Sequence, residues 1–352
     1  METRAGLSEA QFIRRTLIVI ALVALALFLW MLRDVLLMIF GAVVVATLFR
    51  ALTVQYQRLK VPQGLALTLS VLTVFAIVGG AMALFGQQLV AQTENLTQTL
   101  PKAWQSLQQR IAGWGLPIDL SQLQPSGATS GLAASAGRFV MSLGGGLADA
   151  LLIIVGGIFI AASPRFYSVG LVKLVPEAKR DLTSDALNDS GKALRLWLKA
   201  QLVAMVLIGL LTGFGLWILG VPSALALGLI AGLLEFVPYV GPIIAAVPAV
   251  LIALAIDPQL ALWTALLYVL IQNIEGYAVQ PIIQSWAVEV PGAVLLFALL
   301  ACGALFGPLG VIFAAPLTVV VYVLVKRLYV REALDTHTPI PGEDQPDTTP
   351  AA

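Results

Sequence analysis

Two glutamates in the C-terminal half of the chain stand where an acid is costly. Glu235 lies at the end of the apolar segment 223–236, and Glu275 lies within the apolar segment 260–280. A charged side chain at the centre of a bilayer costs at least about 2.5 kcal/mol. We therefore interpret both as candidates for an ion or substrate path. The alternative is that each carboxyl reaches water at a helix end or bonds to a neighbouring helix.

Other polar residues accompany these acids. Gln272 and Asn273 precede Glu275, and Gln272 shares a helical face with Glu275 because it lies three residues before it. Amide and carboxyl groups on one face can bind a polyol or a cation, or they can hydrogen-bond another helix. Asp149, in the apolar segment 139–163, is a further candidate that can reach water near the outer surface.

Prolines and glycines interrupt two pairs of apolar segments. The first pair is 223–236 and 243–256, and the second is 291–306 and 309–325; the residues at the breaks are Pro238, Gly241, Pro242, Gly307, Pro308 and Gly310. Each half of the first pair would rise about 21 Å as a helix, which is less than the hydrocarbon core of about 30 Å. Backbone groups freed by proline cannot face lipid. The pattern predicts broken helical hairpins beside a polar cavity, or plain turns between full crossings.

The two pairs resemble each other at an offset of 69 residues. Val290-Pro291 repeats Val221-Pro222, and Gly310 repeats Gly241. The chain makes an odd number of crossings between equivalent positions, so a true repeat would be inverted. Inverted repeats with broken helices are typical of secondary transporters, whose binding site lies at the repeat interface. Chance similarity between apolar helices is the alternative.

Composition indicates a membrane protein. Of the 352 residues, 59% are hydrophobic and only 11% are charged, whereas soluble proteins carry about 25% charged residues. Several apolar segments exceed the roughly 18 residues that predict a span, and no strand-like alternation is seen. We predict an all-α polytopic membrane protein with six to eight transmembrane helices, including one or two broken hairpins.

Residue usage argues against several function classes. With one cysteine and one histidine there is no Cys/His metal cluster and no Cys-His or Ser-His-Asp site, so we expect neither an enzyme nor a cofactor. The net charge of +1 gives no case for nucleic-acid binding. No GxxxxGK[ST] loop is present, which argues against ATP drive within this chain. The expected partners are the lipid bilayer and a small-molecule or cation substrate.

Hydropathy and charge divide the chain into six regions. They are an N-terminal group of three transmembrane helices at 1–90, an external amphipathic helix and loop at 91–138, a transmembrane helix at 139–163, a cytoplasmic amphipathic region at 164–199, a transport core with both broken pairs at 200–329, and a disordered cytoplasmic tail at 330–352.

The distribution of basic residues predicts the orientation. If both termini, the 50–60 turn and the 164–199 region are cytoplasmic, that side holds 16 of the 20 Lys and Arg residues. Both termini are therefore expected inside. In the external region, an apolar stripe with Trp104 and Trp114 nearby predicts docking onto a copy of itself, so we expect a homo-oligomer.

Three stretches resemble a known family. GVPSALALGLIAGLLEFVPYVGPIIAAVPAVLIAL, QNIEGYAVQPIIQ and FGPLGVIFAAPLTVVVYVL are similar to the AI-2E family, the autoinducer-2 exporter-like transporters also called UPF0118 or PerM-type permeases. The resemblance implies a bacterial inner-membrane protein, with export of a furanone-type signal in some members and sodium/proton antiport in others. The family often has Asn at the position of Glu235, and this difference favours cation or proton coupling here.

Three functions are therefore open. The first is secondary export of a small polar organic molecule such as an autoinducer-2-like signal. The second is a Na⁺/H⁺ antiporter in which Glu235 or Glu275 exchanges ions. The third is a non-transporting membrane scaffold or regulatory protein that acts through the 91–138 and 164–199 regions.

Overall fold

The structure is a computed structural model that describes residues 9–80, 83, 148–281, 290–336 and 338. Within these ranges the chain consists of helices and the turns between them, with no strand, which confirms the all-α polytopic fold class. Five of the described helices are long and apolar enough to cross a bilayer, or six if the bent pair around residue 163 is one span. The predicted external helix at 91–138 and most of the predicted tail lie outside the described residues.

Three helices form the N-terminal part: α1 (Glu9–Met31), α2 (Arg33–Arg58) and α3 (Gln63–Gly80). Hydroxyl pairs join α2 to α3, because Thr53 Oγ1 lies 3.1 Å from Ser70 Oγ and Tyr56 Oη lies 2.7 Å from Thr73 Oγ1. Such side chains stabilise helix pairs in membranes, where hydrophobic burial adds little.

Helix α4 (Ala148–Ala162) packs closely on α2 through glycines. A Cβ at Gly156 would lie 3.1 Å from Ala42 Cβ, and one at Gly157 would lie 2.8 Å from Val45 Cγ1. At Ser163 the chain bends by 90° into α5 (Pro164–Lys173), which Pro164 begins. Proline suits this first helical position because the missing N–H would have no partner there.

Helix α6 (Arg180–Ile218) has 39 residues, a length of about 58 Å. It passes through the predicted boundary at residues 199 and 200, so the end of the predicted cytoplasmic region and the start of the predicted transport core share one helix. Gly220, with φ of +75°, ends it. The Val221 N–H donates to the Leu216 carbonyl at 3.0 Å, as in a Schellman cap.

Helix α7 (Ala224–Leu234) runs antiparallel to α6 through contacts between glycines. The four glycines are spaced GxxxG on both helices: Gly209 and Gly213 on α6, and Gly228 and Gly232 on α7. A Cβ at Gly228 would stand 2.5 Å from Gly213 Cα, and one at Gly232 would stand 2.6 Å from the Met205 carbonyl oxygen. Small residues at this spacing let helix backbones touch.

The first hairpin joins α7 to α8 (Val240–Ile256). Tyr239 has φ of +66° at the turn, and a Cβ at Gly241 would overlap the Leu234 carbonyl group. Only glycine fits this close approach. Helix α9 (Pro258–Ile274) follows, and the Asp257 carboxylate caps it by accepting from the N–H groups of Gln259 and Leu260. It continues into a π-helical turn, Glu275–Val279.

The second hairpin lies within α10 (Gly292–Leu324), which ends in a π-helical segment, Val325–Arg331. Gly307 has φ of +64° and ψ of −147°, a conformation that essentially only glycine adopts. A Cβ at Gly310 would overlap the Cys302 carbonyl group, although eight residues of straight helix would separate them by about 12 Å. The chain therefore folds back at Gly307, and we call 292–306 the first arm and 308–324 the second arm.

The second arm packs against the rest of the bundle. A Cβ at Gly41 of α2 would lie 2.8 Å from the Phe313 ring. At the far end, the Arg327 guanidinium pairs with Asp185 at 2.9 Å and with Asp189 at 3.7 Å. These contacts fix the second arm beside α2 and the first half of α6.

Candidate functional site

A cavity of about 80 Å³ lies where the helices of the C-terminal half meet. Residues from α6, the first turn, the end of α9 and both arms of α10 line it: Trp197, Ala200, Gln201, Ala204, Glu235, Pro238, Glu275, Val279, Gln280, Val290, Leu295, Ala315 and Val319. Because a site for one water molecule needs only about 10–15 Å³, the cavity has room for a few water molecules.

Glu235 reaches the cavity from the turn that ends α7. It is only 1% exposed, and its Oε2 atom has no hydrogen-bond partner. Its backbone carbonyl accepts a 2.6 Å hydrogen bond from Gln201 Nε2. The side-chain amide of Gln201 thus ties the turn to α6 and leaves the Glu235 carboxyl to face the cavity.

Glu275 reaches the cavity from the π-helical turn at the end of α9, and it is 5% exposed. Gln272 Nε2 donates to one carboxyl oxygen at 2.7 Å, and Gln280 Nε2 donates to the other at 3.2 Å. In an α-helix a residue five positions on points well away from the first. The wider π turn brings Gln280 back over Glu275, and such turns are frequent at functional sites.

The Glu235 and Glu275 side chains line the same cavity. None of the described lining residues is Lys, Arg or His. Two buried carboxylates side by side with no cation repel each other, so one of them must hold a proton or the pair must hold a cation. Nowhere in the described ranges do three or more His, Cys, Asp and Glu side chains come together in a way that could hold a metal ion.

The remaining wall is aromatic and apolar. The Trp197 and Phe236 rings meet edge to face with centroids 6.0 Å apart, and Leu295, Ala315 and Val319 complete the wall. A cavity lined by both polar groups and apolar side chains suits a small, partly polar molecule.

The two hairpins point in opposite directions along the bundle. The tip of the first hairpin, at Glu235 and Pro238, faces the cavity. The second hairpin faces the cavity with parts of its arms away from the tip, at Leu295 on the first arm and Ala315 on the second. Gly307 lies about 12 Å along the second arm from Ala315. The relation between the pairs is therefore the inverted one that the sequence repeat implies.

Not every predicted site residue lies at the cavity. Glu235 and Glu275 line it, and Gln272 contacts Glu275. Asn273 is exposed and donates to the Val269 carbonyl oxygen at 2.7 Å, and Asp149 on α4 is not among the lining residues.

The predicted break residues have separate places. Pro238 lines the cavity, Gly241 and Gly310 make the close approaches, Gly307 is the second tip, and Pro242 and Pro308 lie in the first turns of the helices that follow the breaks.

Three polar or aromatic residues at the cavity, Trp197, Gln201 and Gln280, are missing from the sequence-based set. Trp197 and Gln201 are four residues apart on α6 and share a face. A glutamine at the start of an apolar span, one turn after a tryptophan, is the signal that could have identified this pair.

Comparison with known proteins identifies the family. A family model described as "AI-2E family transporter" matches residues 18–329. The chain belongs to the AI-2E family. Among relatives, the candidate transport protein YrrI of Bacillus subtilis is 36% identical over 151 residues, 43% of each chain. The AI-2 transport protein TqsA of Escherichia coli is 23% identical over 307 residues, 81% of this chain and 84% of TqsA.

The extent of these matches differs. This chain covers less than half of YrrI, at 43%, and of YueF from Bacillus subtilis, at 42%, but most of TqsA. The family match confirms the resemblance and shows a multi-pass membrane protein of a bacterial transporter family. A transporter family also favours transport over the scaffold hypothesis, and it is consistent with a protein that is not an enzyme.

Proposed function

We propose that this AI-2E family member is an ion-coupled secondary transporter that exports a small polar organic molecule across the bacterial inner membrane. The observation that carries the proposal is the pair of buried carboxyl groups, Glu235 and Glu275, in one cavity whose described lining residues include no basic side chain. A carboxyl that is buried and can be wetted is what proton or cation coupling requires.

The proposed substrate is a molecule of the autoinducer-2 type. TqsA, which this chain matches over most of its length, carries that substrate in its name. The cavity also offers carboxyl and amide groups and the Trp197 ring. Hydroxyl groups of a small polyol would hydrogen-bond to the carboxyl and amide groups, and its carbon skeleton would pack on the Trp197 ring.

A second candidate is Na⁺/H⁺ antiport. The polar side chains that line the cavity are two carboxyls and two amides, from Gln201 and Gln280, and all four offer oxygen atoms. Oxygen atoms of carboxyl and amide groups are ligands for hard cations, a class that includes Na⁺. In this case no organic molecule would be needed for ion exchange.

The orientation that we propose has both termini in the cytoplasm. It rests on the distribution of Lys and Arg in the sequence. The alternating directions of α6 to α9 and of the two α10 arms then bring the C-terminal end of α10 back to the first half of α6, as the Arg327–Asp185 pair requires.

Flux into inside-out vesicles tests these proposals. Vesicles that contain the protein are given autoinducer-2 with an imposed pH gradient, an imposed Na⁺ gradient or neither. We expect gradient-dependent uptake, which Glu235→Gln lowers to the level of empty vesicles and Glu275→Gln reduces in part. The matched control is Glu177→Gln, the same change at an acid whose side chain is 87% exposed, and it should transport normally.

The outcomes separate the candidates. Uptake of Na⁺ against H⁺ in the absence of any organic molecule would support antiport instead. Gradient-independent uptake of autoinducer-2 that survives in the double Gln variant would refute ion coupling through these acids.

A further inference from the structure

The two acids at the cavity are bonded differently. Both oxygens of the Glu275 carboxyl accept amide hydrogen bonds, from Gln272 and from Gln280. The Oε2 atom of Glu235 accepts none, although it is buried in a residue that lines the cavity. The surroundings of Glu275 therefore stabilise a negative charge more than the surroundings of Glu235 do.

Hydrogen bonds donated by the side-chain amides stabilise the ionised form of a carboxyl group. A carboxylate that accepts hydrogen bonds on both oxygens is favoured in its ionised state, because a proton on either oxygen would displace a donor. Glu275 meets this condition through the π-helical turn, which brings Gln280 into range. Glu235 lacks it and lies beside the negative charge of Glu275, so the proton of the pair is favoured on Glu235.

Among the described residues that line the cavity, no titratable group other than Glu275 accompanies Glu235. Among the described lining residues of α6 and both α10 arms there is no acid or base, and α9 contributes only Glu275. Lys199 and Arg195 on α6 are exposed. Among the described lining residues, these two carboxyls are therefore the groups that set the charge of the cavity.

We propose that the two acids have separate roles in coupling: Glu235 takes up and releases the transported proton, and Glu275 stays ionised as a fixed anchor that Gln272 and Gln280 hold in place. This inference rests on the proposed ion-coupled function. A proton leaves Glu235 when water or a cation enters the cavity beside Oε2, and it returns from water when the cavity opens again. Gln201 keeps the turn on α6 during this exchange, because it bonds the backbone of Glu235 and not its carboxyl.

The roles predict different effects of the same substitution. Glu235→Gln fixes the neutral state, so we expect proton-driven flux to disappear together with its pH dependence, while substrate exchange without a gradient continues. Glu275→Gln leaves the exchanging acid in place, so we expect reduced flux that still responds to pH. Gln272→Met removes one donor but no acid and should also keep a pH response.

Infrared difference spectroscopy provides a readout that does not need transport. Purified protein in lipid nanodiscs is titrated, and the C=O band of protonated carboxyl groups is followed in the parent protein and in each variant. We expect the titrating carboxyl band of the cavity to vanish in Glu235→Gln and to persist in Glu275→Gln and in the surface control Glu177→Gln. Thermal unfolding in detergent confirms that each variant is folded.

The reversed pattern would overturn the proposal. If the band and the pH response vanish in Glu275→Gln and persist in Glu235→Gln, then Glu275 is the proton carrier. If neither variant changes the band, the pair does not hold the exchanging proton. An absence of flux with every substrate, together with loss of the band in Glu235→Gln, would refute the transport proposal but keep the assignment of the proton.

Discussion

The glycine contact between α6 and α7 provides the sharpest quantitative test of the fold. Gly228→Ala adds one methyl group at a point where a Cβ would lie 2.5 Å from Gly213 Cα and 2.7 Å from the Gly209 carbonyl oxygen. Carbon atoms pack best at about 3.5–4.0 Å, so the helices must separate locally by about 1 Å. Overpacking of this kind costs about 1–3 kcal/mol.

A matched control isolates this cost. Gly191→Ala is the same change in α6, but no atom lies within 4 Å of the new Cβ. Both variants gain about 0.5–1 kcal/mol because alanine favours a helix more than glycine does. The difference between the two variants therefore measures the overlap, and it corresponds to a factor of about 5 to 150 in the unfolding equilibrium.

Reversible unfolding in mixed micelles, followed by circular dichroism, provides the measurement. We expect Gly228→Ala to unfold at lower denaturant than the parent, and Gly191→Ala to unfold at equal or higher denaturant. Gly228→Val should be less stable than Gly228→Ala, because a larger side chain separates the backbones further. Equal stability of Gly228→Ala and Gly191→Ala would refute direct backbone contact between these helices.

Three further predictions follow from described contacts. With Cys302→Ser as background, a cysteine at Gln259 should react with an impermeant reagent added outside cells and one at Asn188 should not; both positions are exposed, and the opposite result would reverse the topology. A double-mutant cycle of Arg327→Gln and Asp185→Asn should give a coupling of about 0.2–1 kcal/mol that falls with added salt, and a coupling that salt leaves unchanged would contradict an exposed ion pair. Gly307→Ala should lower stability by about 1–3 kcal/mol because of its backbone angles, whereas Gly276→Ala, in open space on a helix, should not; equal melting temperatures would count against a fold-back at Gly307.

The sequence predicts the fold class and the helix breaks because both depend on local residue type. Apolar length predicts spans, and proline and glycine predict where a helix cannot continue. The break at Gly307 is an example, since its position follows from Gly-Pro alone. The charge pattern does not predict the bounds of α6. A change from polar to apolar residues marks where a helix enters the membrane and not where the helix ends.

The composition of the cavity depends on contacts between distant parts of the chain. Helical spacing puts Trp197 and Gln201 on one face, but it does not tell which helix that face meets. The contact of Gln280 with Glu275 also depends on a π-helical turn, which adds a residue to one turn and leaves no apolar signature. Closeness in sequence also does not guarantee a place at the cavity: Asn273 is next to Gln272 in the chain but points to the surface.

The length of α6 makes it a lever. The glycine contact with α7, at Gly209, is the point about which α6 would rotate. On the N-terminal side of this point, Asp185 lies about 36 Å from Gly209 and Gln201 lies about 12 Å from it. Any rotation of a straight α6 about this point moves Gln201 by about one third of the displacement at Asp185. A shift of about 3 Å where Asp185 meets Arg327 would therefore move the Gln201 amide by about 1 Å, roughly the difference between a good hydrogen bond to the Glu235 backbone and none. In a straight α6, the Asp185–Arg327 ion pair and the hydrogen bond from Gln201 to Glu235 therefore move together, in a fixed ratio of displacements.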